Sequence, residues 1–109
     1  MLEPIFGSAA REIVLRYLHC RGEGYAREIA RFYGTGLDPI QKQLGRLENG
    51  GVVYSRTTGR TRLYALDPRY PFLPELRALL DKSLAFLDKN ERERLVMSRR
   101  RPRRKGKHR

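Results

Sequence analysis

The chain has 109 residues, with 24 Lys+Arg against 12 Asp+Glu and a formal net charge of +12 at pH 7. That length supports one modest core and leaves no room for a catalytic scaffold with a second regulatory domain. No run approaches the roughly 18–20 apolar residues that a membrane span needs, and the N-terminus lacks a basic-then-apolar secretory pattern, so the expectation is a cytoplasmic chain without membrane contact.

Ser8 stands before a stretch free of Gly and Pro up to Arg21, in which Ala10, Ile13, Val14, Tyr17 and Leu18 recur at helical spacing. This pattern predicts an N-capped amphipathic first helix that stops at Gly22. His19 and Cys20 lie side by side near its end, and with Cys20 the only cysteine no disulfide can form within the chain. Adjacent helical residues project in different directions and two ligands fall short of a closed site. The pair therefore reads as plain helix surface, and no metal or other cofactor is expected.

After Gly22-Glu23-Gly24, the residues Ala26, Ile29, Ala30 and Tyr33 repeat the periodicity in a short second helix halted by Gly34-Thr35-Gly36. Asp38 then stands where an N-cap belongs and Pro39 at a first helical position that needs no N–H, while Asn49-Gly50-Gly51 form a stop. A third helix is predicted over residues 38–49. A step of 100° per residue places Ile40, Leu44 and Leu47 on one stripe and Asp38, Lys42, Gly45, Arg46 and Asn49 on the other side, with Gln41 and Gln43 on the flanks. Gly45 costs up to about 1 kcal/mol relative to Ala in mid-helix. Close approach of the backbone to a ligand and simple tolerance in a helix held by packing both account for it.

Val52 to Thr57 and Thr61 to Leu66 are two β-prone runs about a turn containing Gly59, which predicts a hairpin. Its tip and flanks carry Arg56, Arg60 and Arg62 with no acid among them. Tyr64 and Leu66 read as core. Pro68, Pro71 and Pro74 punctuate an extended link, after which Leu76, Leu79, Leu80, Leu84 and Leu87 mark a fourth amphipathic helix whose pattern can continue past Asn90 towards Arg101. Eight of the 24 basic residues and none of the 12 acids lie from Arg99 onward, leaving sixteen basic against all 12 acidic side chains, a net of +4, in the preceding 98. The low-complexity segment after Pro102 reads as disordered.

Helix, short helix, glycine turn, capped helix and arginine-tipped hairpin form the order of a winged helix-turn-helix, mainly α with a β-hairpin wing and an additional C-terminal helix. The divisions expected are residues 1–68 as the DNA-binding module, 69–98 as a proline-punctuated link and C-terminal helix whose leucine stripe serves either dimerisation or packing within the chain, and 99–109 as a disordered polybasic tail. The apolar stripe of the third helix packs inward, which leaves Lys42 and Arg46 as donors to guanine edges or phosphates and Gln41 suited to adenine. Arg60 is the wing residue best placed to reach phosphates or the minor groove. Three roles are open to the tail: non-specific affinity for DNA by counterion release, solubilisation, and a hook for an acidic partner.

Tyr25-Ala26-Arg27-Glu28-Ile29-Ala30 and the run from Leu37 to Val53 resemble the ArsR/MarR-like winged-helix transcriptional regulators of bacteria and archaea, over roughly sixty residues from Phe6 to Leu66. The resemblance implies that residues 38–49 read DNA, that the wing over residues 56–62 grips the backbone, and that terminal helices form a homodimer. It assigns these roles here to Gln41, Lys42, Gln43, Arg46 and Arg60. Metal-sensing members use clustered Cys and His ligands, which this chain lacks, and no small-molecule effector is evident. The leading expectation is a sequence-specific regulator of double-stranded DNA, nucleoid-associated when bound, whose DNA-binding residues are Gln41, Lys42, Gln43, Arg46, Arg56, Arg60 and Arg62. A winged-helix protein-interaction module and a basic RNA-associated protein are the alternatives. Glu12, Glu28, Glu48 and Asp67 are scattered with no nucleophile–base pairing, so an enzyme is not expected.

Overall fold

In the computed structural model, which describes residues 1–96, one turn of helix, α1 (Glu3–Phe6), precedes α2 (Ala9–Arg21). Ser8 caps α2 as its residue type predicts, its hydroxyl accepting from the Arg11 N–H at 3.1 Å. Val14, Leu15, Tyr17 and Leu18 are all buried, so α2 is the central post of the core. Two charged residues go in with them. Glu12 accepts from the Leu2 N–H at 3.1 Å and from Arg16, which also reaches Glu91 at 3.2 Å.

Gly24 and Tyr25 form a two-residue strand, β1 (Gly24–Tyr25), that the sequence reading did not anticipate. A Cβ on Gly24 would lie 2.7 Å from the Tyr17 ring, so only glycine lets this strand pass over α2. The second predicted helix, α3 (Ala26–Tyr33), ends at Gly34 in the left-handed conformation. Tyr17 packs edge-on to Phe32, centroids 5.5 Å apart, and Arg21 donates to its hydroxyl at 3.0 Å. Burial, with the Glu28 charge adding to it, pushes that hydroxyl up to about 12.

The third helix, α4 (Leu37–Asn49), starts one residue before its predicted boundary, with Gly36 rather than Asp38 at the N-cap. The physical reason is that the first helical N–H groups have no partner within the helix, so Pro39 fits its third position as well as its first. Strands β2 (Val53–Thr58) and β3 (Thr61–Leu66) pair antiparallel from Val53↔Leu66 to Thr58↔Thr61. Gly59, at φ +62°, supplies the positive φ that a two-residue hairpin loop requires. β1 adds to the free side of β3 through Gly24↔Tyr64 and Tyr25↔Leu63, giving the order β1-β3-β2. Leu66 is buried as expected, whereas Tyr64 is half-buried against the core.

Leu73 opens α5 (Leu73–Leu84), with Leu80 fully buried against the core and Leu76, Leu79 and Leu84 partly so. The continuous helix allowed by the leucine pattern does not form. The chain breaks after Leu84 and residues 89–96 are helical again, here α6 (89–96). Asp88 causes the restart, since its carboxylate accepts from the Asn90 N–H at 3.3 Å and its carbonyl from the Arg92 N–H at 3.1 Å. Leu95 then inserts fully into the core, while Arg94 stacks 4.2 Å from the Phe32 ring centre and binds α6 to α3. The segment 99–109 predicted to be disordered lies outside the described residues.

Candidate nucleic-acid interface

α4 divides into two faces. Ile40, Leu44 and Leu47 are buried, as the 3.6-residue period requires. Gln41, Lys42 and Arg46 are exposed on the side turned away from the core. Gln43 departs from the expectation: it is buried, and its Oε1 accepts from Arg11 Nε at 2.9 Å. It stands three residues after Ile40 and four before Leu47, on the inward stripe itself, and it ties α4 to α2 instead of flanking the outer face.

The hairpin stands beside α4, joined to it by Ser55, whose hydroxyl donates to Glu48 Oε2 at 2.7 Å. Its arginines differ in their surroundings. Arg56 lies 3.6 Å from Glu23, an acid that is remote in the hairpin sequence but brought alongside by the turn before β1. Arg62 donates to the Ser55 hydroxyl at 3.0 Å and is thereby linked to Glu48. Arg60 at the tip, like Lys42 and Arg46 on α4, has no hydrogen-bond or ion-pair partner among the described residues. The free cations of the hairpin and α4 thus lie at the hairpin tip and on the outer face of α4.

No family model and no curated protein matches the sequence. Solved structures do match. A mutant of MarR from E. coli superposes with a TM-score of 0.58 at 19% identity over 89% of this chain and 69% of its own. A double mutant of Lactococcus lactis ZitR in its apo form gives 0.57 at 18% identity over 99% and 92%. The AntR antimony-specific transcriptional repressor gives 0.53 at 21% identity over 71% and 68%. The chain has the winged-helix fold of MarR-like proteins.

Within the winged helix, α3 and α4 form the helix-turn-helix, and β2 and β3 form the wing. Gly45 faces open space, since a Cβ added there meets nothing within 4 Å. Gly45→Ala should therefore stabilise the fold by about 0.5–1 kcal/mol, read as a higher midpoint of thermal unfolding. Measured with DNA, the same variant separates the two accounts of Gly45: weakened binding supports close backbone approach, and unchanged binding removes it.

Elsewhere on the winged helix, His19 contacts Asp81 at 2.6 Å and Arg77 at 3.1 Å, and so ties α2 to α5. Among the described residues, no three His, Cys, Asp or Glu side chains come together as metal ligands, and no helix is long and apolar enough to cross a membrane.

Proposed function

We propose that the chain is a cytoplasmic transcriptional regulator that binds double-stranded DNA as a homodimer, with α4 in the major groove and the wing on the backbone or in the minor groove. The observation that carries this reading is the pair Lys42 and Arg46, exposed and without internal partners on a helix whose opposite face is locked into the core. A 13-residue helix is about 20 Å long and fits a major groove about 12 Å wide, where an arginine can bind the two acceptors of guanine at once. Arg60 is the free cation at the wing tip, and the Glu23 contact makes Arg56 a secondary one. The similarity to AntR, a transcriptional repressor by name, fits this reading.

A homodimer is supported by an apolar surface that neither Lys42 nor Arg46 lines. Ile5 and Phe72 are 68% and 63% exposed, and Phe72 borders a groove of about 350 Å³ that Phe6, Leu76 and Leu79 also line. An enzyme is disfavoured by the work that the acids already do. Glu12 pairs with Arg16, Glu28 accepts from the Tyr25 N–H, Glu48 accepts from Ser55, and Asp67 is held by Arg69, which keeps its carboxyl below the usual carboxylate range.

Selection of bound duplexes from a random pool tests both parts. The expected winner is a palindrome with half-sites about 10 base pairs apart, bound by two chains and preferred over a scrambled duplex by about a thousand-fold or more at physiological salt. A ratio near one would remove sequence-specific regulation. One chain on a site without symmetry would remove the dimer.

A further inference from the structure

Between the start of α3 and the wing lies a cleft of about 310 Å³ whose walls include Arg27, Arg60 and Arg62, with Gln41 reaching it from α4. We propose that this cleft seats one phosphodiester of the DNA backbone, with Arg27 as a contact residue additional to those on α4 and the wing, and with Gln41 positioning that phosphate rather than reading a base. The inference rests on the DNA-binding reading above and sharpens it.

Three observations support it. No acid lines the cleft, and although Arg62 is engaged by Ser55, Arg27 and Arg60 have no partner among the described residues. Cations gathered on facing walls repel one another, and an anion between them removes that cost. Arg27 is also the second residue of α3, at the positive end of the helix dipole, where a cation is locally unfavourable. The neighbouring Glu28 turns its carboxylate to the Tyr25 N–H at 3.2 Å, within the backbone of the turn. Lastly, the walls are fixed before any ligand arrives. β1 leads directly into α3 and pairs with β3, and the Tyr25 hydroxyl lies 3.1 Å from Thr58 Oγ1 at the base of the wing tip. A site whose backbone walls are already placed loses less entropy on binding, the cost left being that of ordering the exposed Arg27 and Arg60 side chains.

Lys42 and Arg46 do not line this cleft. The interface thereby sorts into two parts: Lys42 and Arg46 for base edges, and Arg27, Arg60 and Gln41 for a phosphate that fixes the register of the protein on the duplex.

The test is salt titration of the full chain and of Arg27→Ala, Arg27→Lys and Gln41→Ala on the selected duplex and a scrambled one. Thermal unfolding serves as the control for folding. Arg27→Ala is expected to weaken both duplexes by about ten-fold per bound chain and to reduce the slope of log K against log salt by about 0.9 per bound chain, leaving their affinity ratio unchanged. Arg27→Lys should restore the slope. Gln41→Ala should weaken both duplexes alike with the slope unchanged, because the amide carries no charge. If the parent chain binds DNA and Arg27→Ala changes neither affinity nor slope, the cleft is not a phosphate seat. A Gln41→Ala effect confined to the selected duplex makes Gln41 a base reader and overturns its assignment here. If the parent chain binds neither duplex, the DNA-binding reading fails, and the inference with it.

Discussion

Replacing Arg16 with alanine should destabilise the fold by about 3–5 kcal/mol, a large part of the stability of a chain this size. Arg16 and Glu12 are each only 5% exposed, and they lie one turn apart on the central helix. Without the guanidinium, the Glu12 carboxylate keeps the Leu2 N–H and the N-terminal ammonium 3.6 Å away, itself partly exposed, but loses its buried counter-charge. Arg16 also holds Glu91, so its loss releases a tie between α2 and α6. The double variant Glu12→Gln/Arg16→Met should recover most of the loss, since it leaves no unpaired charge in the core, the released Glu91 being partly exposed. Urea unfolding of the two single variants and the double variant measures the coupling. A loss below about 1 kcal/mol for Arg16→Ala would mean that the pair is worth no more than a surface ion pair.

The double substitution Lys42→Ala/Arg46→Ala should abolish preference for the selected duplex while leaving the fold intact. Both side chains are exposed, so unfolding should shift by less than about 0.5 kcal/mol. Each well-formed contact to a base edge discriminates by about 1–3 kcal/mol, which puts the combined loss at about 2–6 kcal/mol per half-site. Scrambled DNA should lose far less, because the wing and the cleft remain. Charge reversal at the same positions should repel both duplexes. Intact, selective DNA binding by either variant would instead point to a protein partner for this face.

Much of this architecture is legible in the sequence because it depends on local rules. The Ser8 cap, the glycine stops after α2 and α3, and the hairpin about Gly59 follow from short-range backbone chemistry. The inward stripe Ile40-Leu44-Leu47 follows from helical period, and the same period carries Gln43 inward. A polar residue type suggested an outer role, but the neighbouring Arg11 satisfies it inside. What local rules do not reach is pairing across distance. β1 is two residues long and gains its partner only from β3, some forty positions onward. Arg56 has no acid near it in sequence, and folding supplies Glu23. Arg27 attracts no notice within a helical pattern, and its significance emerges only when the wing forms the opposite wall. The break after Leu84 did carry a signal, an Asp88 followed three residues later by Glu91 in the manner of a helix start, which the continuing leucine period obscured.

The short strand β1 also limits how such a protein can be controlled. By stitching the entrance of α3 to β3, it ties the first helix of the helix-turn-helix to the wing, with the Tyr25–Thr58 contact as a second stitch. A signal acting on a dimer of such units has little freedom to bend either one out of shape. In the homodimer proposed above, the adjustable quantity is the distance and tilt between the two copies, set where α1 and α5 would meet the second chain, so regulation becomes a matter of whether two jaws match the pitch of the duplex.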